Sequence, residues 1–355
     1  MKKVLILTKT DWSEPPRIRH QITRLLKEEG YSITFVEKNS YKSIFIKHRK
    51  EEGIDFYSHA QLIHHQLRYF PLIQKLNNSL VKFYLKKIMK KLEFDFIMNF
   101  SYNYSFLKKL APGKKIITMM EDDFEAQAKF GMTKQIRNQI RKTCQNSDHV
   151  LTVSYPLYDK LNSYQDNVTL FFPWSQRTYM RPLENGRRNT VLYFGFVGRL
   201  NWEVTEAIIK NTPYNFRFVG PTIRKSDEKM VAHLKNTYTT FSYVPYSKIE
   251  ELEVDDVFCS ILPYDATLGN VQATTVSNRA FNLLSLGLPL AYADLRNLIR
   301  SSKTIIRTNK TAGEYVDTLA FFHENFYEIQ PDIETFLKDH YKSIRWNVLK
   351  ELIES

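Results

Sequence analysis

The sequence predicts an α/β protein built as two successive units, each a parallel sheet covered by helices on both faces. Three observations carry this. The chain has 355 residues, more than one ordinary core needs and about enough for two. Short apolar runs alternate with helical patterns along its length. The alternation breaks near residues 175–189, where Pro182, Glu184, Asn185, Gly186, Arg187 and Arg188 gather before a second series begins.

In chain order, Lys3–Leu7 reads as a strand and Arg17–Glu29 as an amphipathic helix ended by Gly30. Ser32–Val36, Phe94–Asn99, Lys115–Met120 and Val150–Val153 read as further strands. The second series opens with Thr190–Val197, then Asn215–Val219 closed by Gly220-Pro221, Thr240–Tyr243 and Asp256–Leu262. A helix over Ala280–Leu286 stops at Gly287, and Pro289–Ala293 is the next strand. From about Asp332 the pattern is one helix or a pair.

Apolar residues make up 43% of the chain, so both cores can be filled. The opening MKKVLILTKTDW imitates a secretory leader, but its apolar run, Val4 to Leu7, is too short, and Lys9 and Asp11 follow. No stretch approaches the roughly 18–20 apolar residues of a membrane span. The two cysteines, Cys144 and Cys259, lack metal-type spacing and suit a reducing cytoplasm. The net charge of +13 is confined to residues 1–150, with 28 basic against 15 acidic residues; the remainder has 23 of each. An anionic partner of that half is expected: a membrane surface, a phosphorylated lipid or nucleic acid. Lys42–Lys91 is densest, with 11 basic residues against 3 acidic. Phe45, Phe56, Tyr57, Phe70, Phe83 and Tyr84 interleave with that charge, the composition an interfacial helix needs.

Four segments of the second half carry the most specific signal. Val191–Leu200, VLYFGFVGRL, runs a strand into glycines, which lets backbone amides approach a pyrophosphate; Arg199 adds a cation that cannot deprotonate. Phe216–Pro221, FRFVGP, leaves a strand through Gly-Pro. Thr240–Pro263 includes Phe241 and Val244-Pro245-Tyr246 and runs on to Ile261-Leu262-Pro263-Tyr264. Ser277–Ala293, SNRAFNLLSLGLPLAYA, is a helix that caps at glycine and returns into a buried strand. In this order the four resemble the donor half of bacterial retaining GT-B glycosyltransferases, the group 1 or family 4-like superfamily.

The resemblance implies a GT-B fold: two Rossmann-like domains facing each other across a cleft. It places an acceptor domain over residues 1–175, a nucleotide-sugar domain over 190–325, and helices over 326–355 that pack back toward the first. Within the motif, Arg279 takes a Lys position, and Phe281, Gly287 and Pro289 match. Asn282 stands where the family has a ribose-binding carboxylate. Thr274, eight residues earlier, stands where an E-x7-E pair would have its other acid, so that pair is absent. The implied donor set is Gly198, Arg199, Val244, Tyr264, Thr274, Thr275, Arg279 and Asn282.

In the first half, Trp12–Gly30 resembles the acceptor-side loop and helix, with Arg17, Arg19 and His20 as acceptor contacts and Glu14-Pro15-Pro16 in place of a glycine turn. Glu121, Asp122 and Asp123 follow the strand Lys115–Met120, at the end that faces a ligand crevice in α/β domains. They are the catalytic candidates, able to stabilise an oxocarbenium-like transition state or position a hydroxyl. No metal site and no cofactor are expected; His64-His65 has no third ligand at a suitable spacing.

The expected function is retaining, metal-independent transfer from a nucleotide sugar, a UDP-sugar favoured, to a lipid-linked or cell-surface saccharide. The expected location is the inner face of the cell membrane, in a bacterial cytoplasm. Two alternatives stay open: a DNA-modifying glucosyltransferase of similar fold, whose basic half would meet phosphates, and a non-catalytic partner subunit, which the missing carboxylate pair would suit.

Overall fold

In the computed structural model the chain forms two compact units, Met1–Pro173 with Arg345–Ser355, and Trp174–Ile344. The structure describes residues 2–14, 16–38, 45–59, 70–183, 186–299, 302 and 304–355. Pro15, Lys42, His64, His65, Glu184 and Asn185 lie outside the described residues.

The first unit runs β1 (Lys3–Leu7), α1 (Ile18–Glu28), β2 (Ser32–Lys38), β3 (Lys47–Glu51), β4 (Ile54–His59), α2 (Pro71–Met89) and β5 (Phe96–Asn99). It continues with α3 (Leu107–Leu110), β6 (Lys115–Met120), α4 (Thr133–Gln145), β7 (His149–Thr152), α5 (Tyr155–Asn162) and β8 (Val168–Leu170). The strands lie in the order β3-β4-β2-β1-β5-β6-β7-β8. All pairings are parallel except β3 with β4. β1 and β5 are buried on both faces, which is why they read as unbroken apolar runs. α1 stops because Gly30 takes a φ of +84°.

The basic segment 42–91 holds more than a helix. Its described part is a hairpin followed by a helix. β3 and β4 join through Glu52 and Gly53, both at positive φ, the turn geometry that matches strand twist. All five residues of β3, KHRKE, are exposed, and charge on an edge strand blocks further pairing. α2 turns Val81, Leu85 and Ile88 into a cluster with Leu5, Leu7, Val36 and Ile97 of the sheet.

The second unit runs β9 (Thr190–Phe194), a 3-10 turn at Val197–Arg199, α6 (Trp202–Lys210), β10 (Asn215–Val219), α7 (Lys225–Thr237) and β11 (Phe241–Val244). There follow β12 (Val257–Leu262), α8 (Gly269–Gln272), α9 (Asn278–Ser285), β13 (Leu290–Ala293), β14 (Ile306–Asn309), α10 (Ala312–Glu324), α11 (Gln330–Lys338) and α12 (Lys342–Glu354). Its strand order is β11-β10-β9-β12-β13-β14, with every pairing parallel. α12 begins in this unit, and from Arg345 it belongs to the first. There Trp346 meets Tyr31 edge-on at 6.1 Å, and Lys115 Nζ donates to the carbonyls of Leu352 and Ile353 at 3.1 and 3.2 Å. No helix among the described residues is long and apolar enough to cross a membrane.

Candidate active site

In each sheet the chain winds one way from a central strand and then returns to wind the other. The reversal lies between β1 and β5 in the first unit and between β9 and β12 in the second. Ligands of open α/β sheets bind beyond the C-terminal strand ends at such a point. At the second reversal the loops leaving β9 and β12 touch directly: Leu200 and Tyr264 form an isolated bridge, and Asp265 N donates to Arg199 O at 2.8 Å.

Glycines shape this point. Gly195 and Gly220 take φ of +147° and +149°. A Cβ on Gly220 would stand 1.8 Å from the Gly195 carbonyl oxygen, and one on Gly195 would stand 1.8 Å from Arg279 Nη1. The Arg279 guanidinium therefore lies against the glycine loop. Its Nη1 donates to Phe194 O at 2.8 Å, and its Nη2 donates to the Tyr264 hydroxyl. Burial pushes the phenols of Tyr193 and Tyr292 up, so both stay neutral beside it. Arg199, half-buried at the end of its 3-10 turn, reaches Thr274 Oγ1 at 3.4 Å. Tyr264, Thr274, Thr275 and Arg279 line one recess of about 10 Å³, roughly one water, so these side chains nearly fill it.

Not every expected donor residue joins this group. Gly198 packs with its Cα close to Phe196 and Asp227. Val244 ends β11, and its carbonyl accepts from Gly220 N at 3.0 Å. Asn282 lies one turn past Arg279 on α9 but lines a different recess with Gln176 and Glu250; its Oδ1 accepts from Gln176 N at 3.1 Å. The sequence reading missed Arg224, just before α7. Its Nη2 donates to Gly198 O and its Nε to Asp227 at 3.0 Å, so a third arginine borders the loop. The basic residue shortly after Gly220-Pro221 was the available signal.

In the first unit the structure gathers Arg17, Arg19, Glu121 and Asp122. Arg19 is fully buried; its guanidinium holds Glu14 at 2.7 Å and Glu121 at 3.1 Å. Arg17 stays exposed, 3.8 Å from Asp122. Two of the acceptor candidates are buried and paired within the unit. Arg19 is committed to two carboxylates of its own chain. His20 is buried between Trp12 O and Arg17 N, each 3.0 Å away. Asp123, the third catalytic candidate, is buried as well. It is 1% exposed, caps Ala126 N at 3.2 Å and lies 3.6 Å from Lys160 of α5. Lys9 was also missed. It follows β1 at the first reversal, its ammonium 5.4 and 5.1 Å from the ring centres of Tyr102 and Tyr104.

The His20 ring accepts from Arg17 N through Nδ1, so its proton belongs on Nε2, facing the Trp12 carbonyl. Burial, first of all, lowers its pKa to about 4, aided by the charges of Arg19, Arg24 and Arg17. A depressed pKa stabilises the fold fully above the unfolded value of about 6.5, and that stability is lost as pH falls toward 4. Acidification over this window is expected to remove on the order of 2–3 kcal/mol from the first unit. Thermal unfolding followed against pH checks this: His20→Gln should flatten the profile between those values, and an unchanged slope would assign it to other groups.

No protein-family model matches the sequence, and no curated protein matches it at a significant level. Solved structures do. An α,α-trehalose-phosphate synthase (UDP-forming) from Burkholderia vietnamiensis superposes with a TM-score of 0.73 at 9% identity, over 100% of this chain and 97% of that one. The apo lipopolysaccharide outer core galactosyltransferase WaaB gives 0.69 at 11%, over 99% of both chains. Sucrose-phosphate synthase from Thermosynechococcus elongatus gives 0.69 at 11%, over 99% and 98%. This chain has the GT-B fold. At such identities the likeness is one of architecture, and for a GT-B fold the chemistry has to be argued from the residues at the strand ends.

Proposed function

We propose that the chain is a glycosyltransferase moving a sugar from a nucleotide sugar, with a UDP-sugar favoured, to a lipid-linked or cell-surface saccharide. One observation supports it above the others: Arg199 and Arg279 converge with Tyr264, Thr274 and a two-glycine loop at the second sheet's reversal. Two fixed cations side by side suit a diphosphate, and guanidinium forks hold it with charge-assisted bonds. Synthases of trehalose phosphate and sucrose phosphate and a lipopolysaccharide galactosyltransferase are built on this architecture. In this reading the second unit takes the donor, and Asn282, whose Oδ1 is held by Gln176 N in the neighbouring recess, offers its amide Nδ2 to the ribose hydroxyls. The first unit takes the acceptor near Arg17, with Glu121 and Asp122 carrying charge at the transition state. Transfer proceeds with retention and without a metal, at the cytoplasmic membrane face of a bacterium.

Calorimetry with UDP and UDP-sugars tests this. Wild-type chain should bind, and Arg199→Ala should bind about 1.5–3 kcal/mol more weakly, roughly ten- to hundred-fold, while melting close to wild type. Equal affinity in the folded variant would remove the diphosphate assignment.

A further inference from the structure

We infer that the outward face of α2 docks on an anionic phospholipid bilayer, with a headgroup phosphate seated in the basic groove at the helix's C-terminal end. The inference rests on the membrane part of the function proposed above and names the surface that would carry it. α2 buries Gln74, Val81, Leu85 and Ile88 against its own unit. Its opposite side is apolar along the middle: Leu72, Leu76 and Phe83 are 77%, 59% and 52% exposed. Positions 72, 76, 79 and 83 fall on one stripe at helical spacing, and Ser79 is the single polar member.

The stripe extends beyond the helix. Phe70, just before α2, stacks on exposed Phe130 at 5.4 Å. Phe130 takes a φ of +56° beside Gly131 at +69°, in the turn that leads into α4. Buried Gln74 bonds Gln135 and Gln139 of α4, which fixes the two segments together.

Lysines flank the stripe. Lys75, Lys82 and Lys86 border one side and Lys87 the other, and Lys90 and Lys91 follow. None of them is ion-paired to a carboxylate among the described residues. At the C-terminal end a groove of about 670 Å³ opens between Lys86, Lys90 and Lys114 over a floor of Phe94, Leu110 and Pro112. The acids on its rim are engaged: Glu93 pairs with Lys3 at 2.7 Å, and Asp95 accepts from Lys3 N at 2.7 Å. Cations beside an apolar ridge match a surface that offers phosphate above and acyl chain below. A nucleic acid would satisfy the lysines and leave the large apolar side chains in water.

Flotation of the full chain with vesicles tests the surface. Wild type should float with phosphatidylcholine–phosphatidylglycerol vesicles and stay down with phosphatidylcholine alone. Lys86→Glu/Lys90→Glu/Lys114→Glu should lose anionic binding by at least roughly ten-fold. Leu72→Ser/Leu76→Ser/Phe83→Ser, all at exposed positions, should bind at low salt and release at physiological salt, because only screened charge then remains. A ridge variant that floats like wild type at both salts overturns the inference. So does a lysine variant that loses duplex DNA and vesicles equally while the ridge variant loses neither; the partner is then nucleic acid. UDP calorimetry on the same proteins separates the two readings. A chain that floats without binding nucleotide keeps the docking surface and removes the proposed function; one that binds nucleotide and never floats does the reverse.

Discussion

Replacing Gly220 by alanine is expected to destabilise the second unit by roughly 3–5 kcal/mol and to abolish nucleotide binding with it. Gly220 sits at φ +149°, where a side chain is strained whatever the space around it. Its added Cβ would stand 1.8 Å from the Gly195 oxygen and 2.6 Å from the Gly195 carbonyl carbon. Those atoms are backbone and cannot rotate away. Moving them breaks the bond from Gly195 N to Val219 O, 2.8 Å long, and displaces the loop that Arg279 lies against. Gly30→Ala is the control: φ there is +84°, but nothing lies within 4 Å, so a cost of about 1–2 kcal/mol from backbone strain alone is expected. Urea unfolding of the two variants compares them directly. Equal midpoints would mean that the strand ends part easily and the close approach of the two glycines has no energetic role.

The second large effect belongs to Arg19. Arg19→Met should destabilise the first unit by about 3 kcal/mol and cut transfer more than the loss of folded protein explains. Breaking a buried ion pair costs about 3–5 kcal/mol, since the abandoned partner keeps its desolvation penalty. Glu14 is partly exposed and can return to water, which places the estimate at the low end. Glu121 is only 11% exposed and cannot. Arg19→Lys should rescue poorly, because a point charge does not replace a fork that spans two carboxylates. Denaturant unfolding gives the stability term, and transfer rates at saturating donor give the other. Normal turnover in folded Arg19→Met would leave the pair with a purely structural role.

The doubly wound architecture was legible because β1, β6, β9, β12 and β13 are buried on both faces and so appear as apolar runs. β3 was not: its five charged or polar residues have no buried face, and only pairing with β4 makes them a strand. The α2 segment was read for its composition, and its helical stripe emerged only once the hairpin ahead of it was separated. At the second sheet's reversal, Arg199 could be named because it follows a strand that runs into glycines, and Tyr264 and Arg279 from the resemblance of their segments to GT-B donor motifs. Their mutual distances came from the fold. The enclosure of Arg19 and His20 was not legible, for a physical reason. Nothing local to a helix start reveals that Trp12, Glu14 and a turn 102 residues onward will enclose its polar residues. Lys9 was seen only as an argument against a leader peptide; its place at a sheet reversal depends on β5, far along the chain.

The division of α12 has a consequence for biosynthesis. Residues 345–355 complete the first unit, yet a ribosome adds them only after all of the second. Until then Tyr31 lacks Trp346, Phe172 lacks the Arg345 guanidinium 5.9 Å from its ring centre, and Lys115 lacks its two carbonyl acceptors. At about 5–20 residues per second, the nascent first unit waits roughly ten to thirty seconds with that flank open. The half of the chain made first is therefore the half that matures last, and nascent-chain chaperones have that interval in which to engage it.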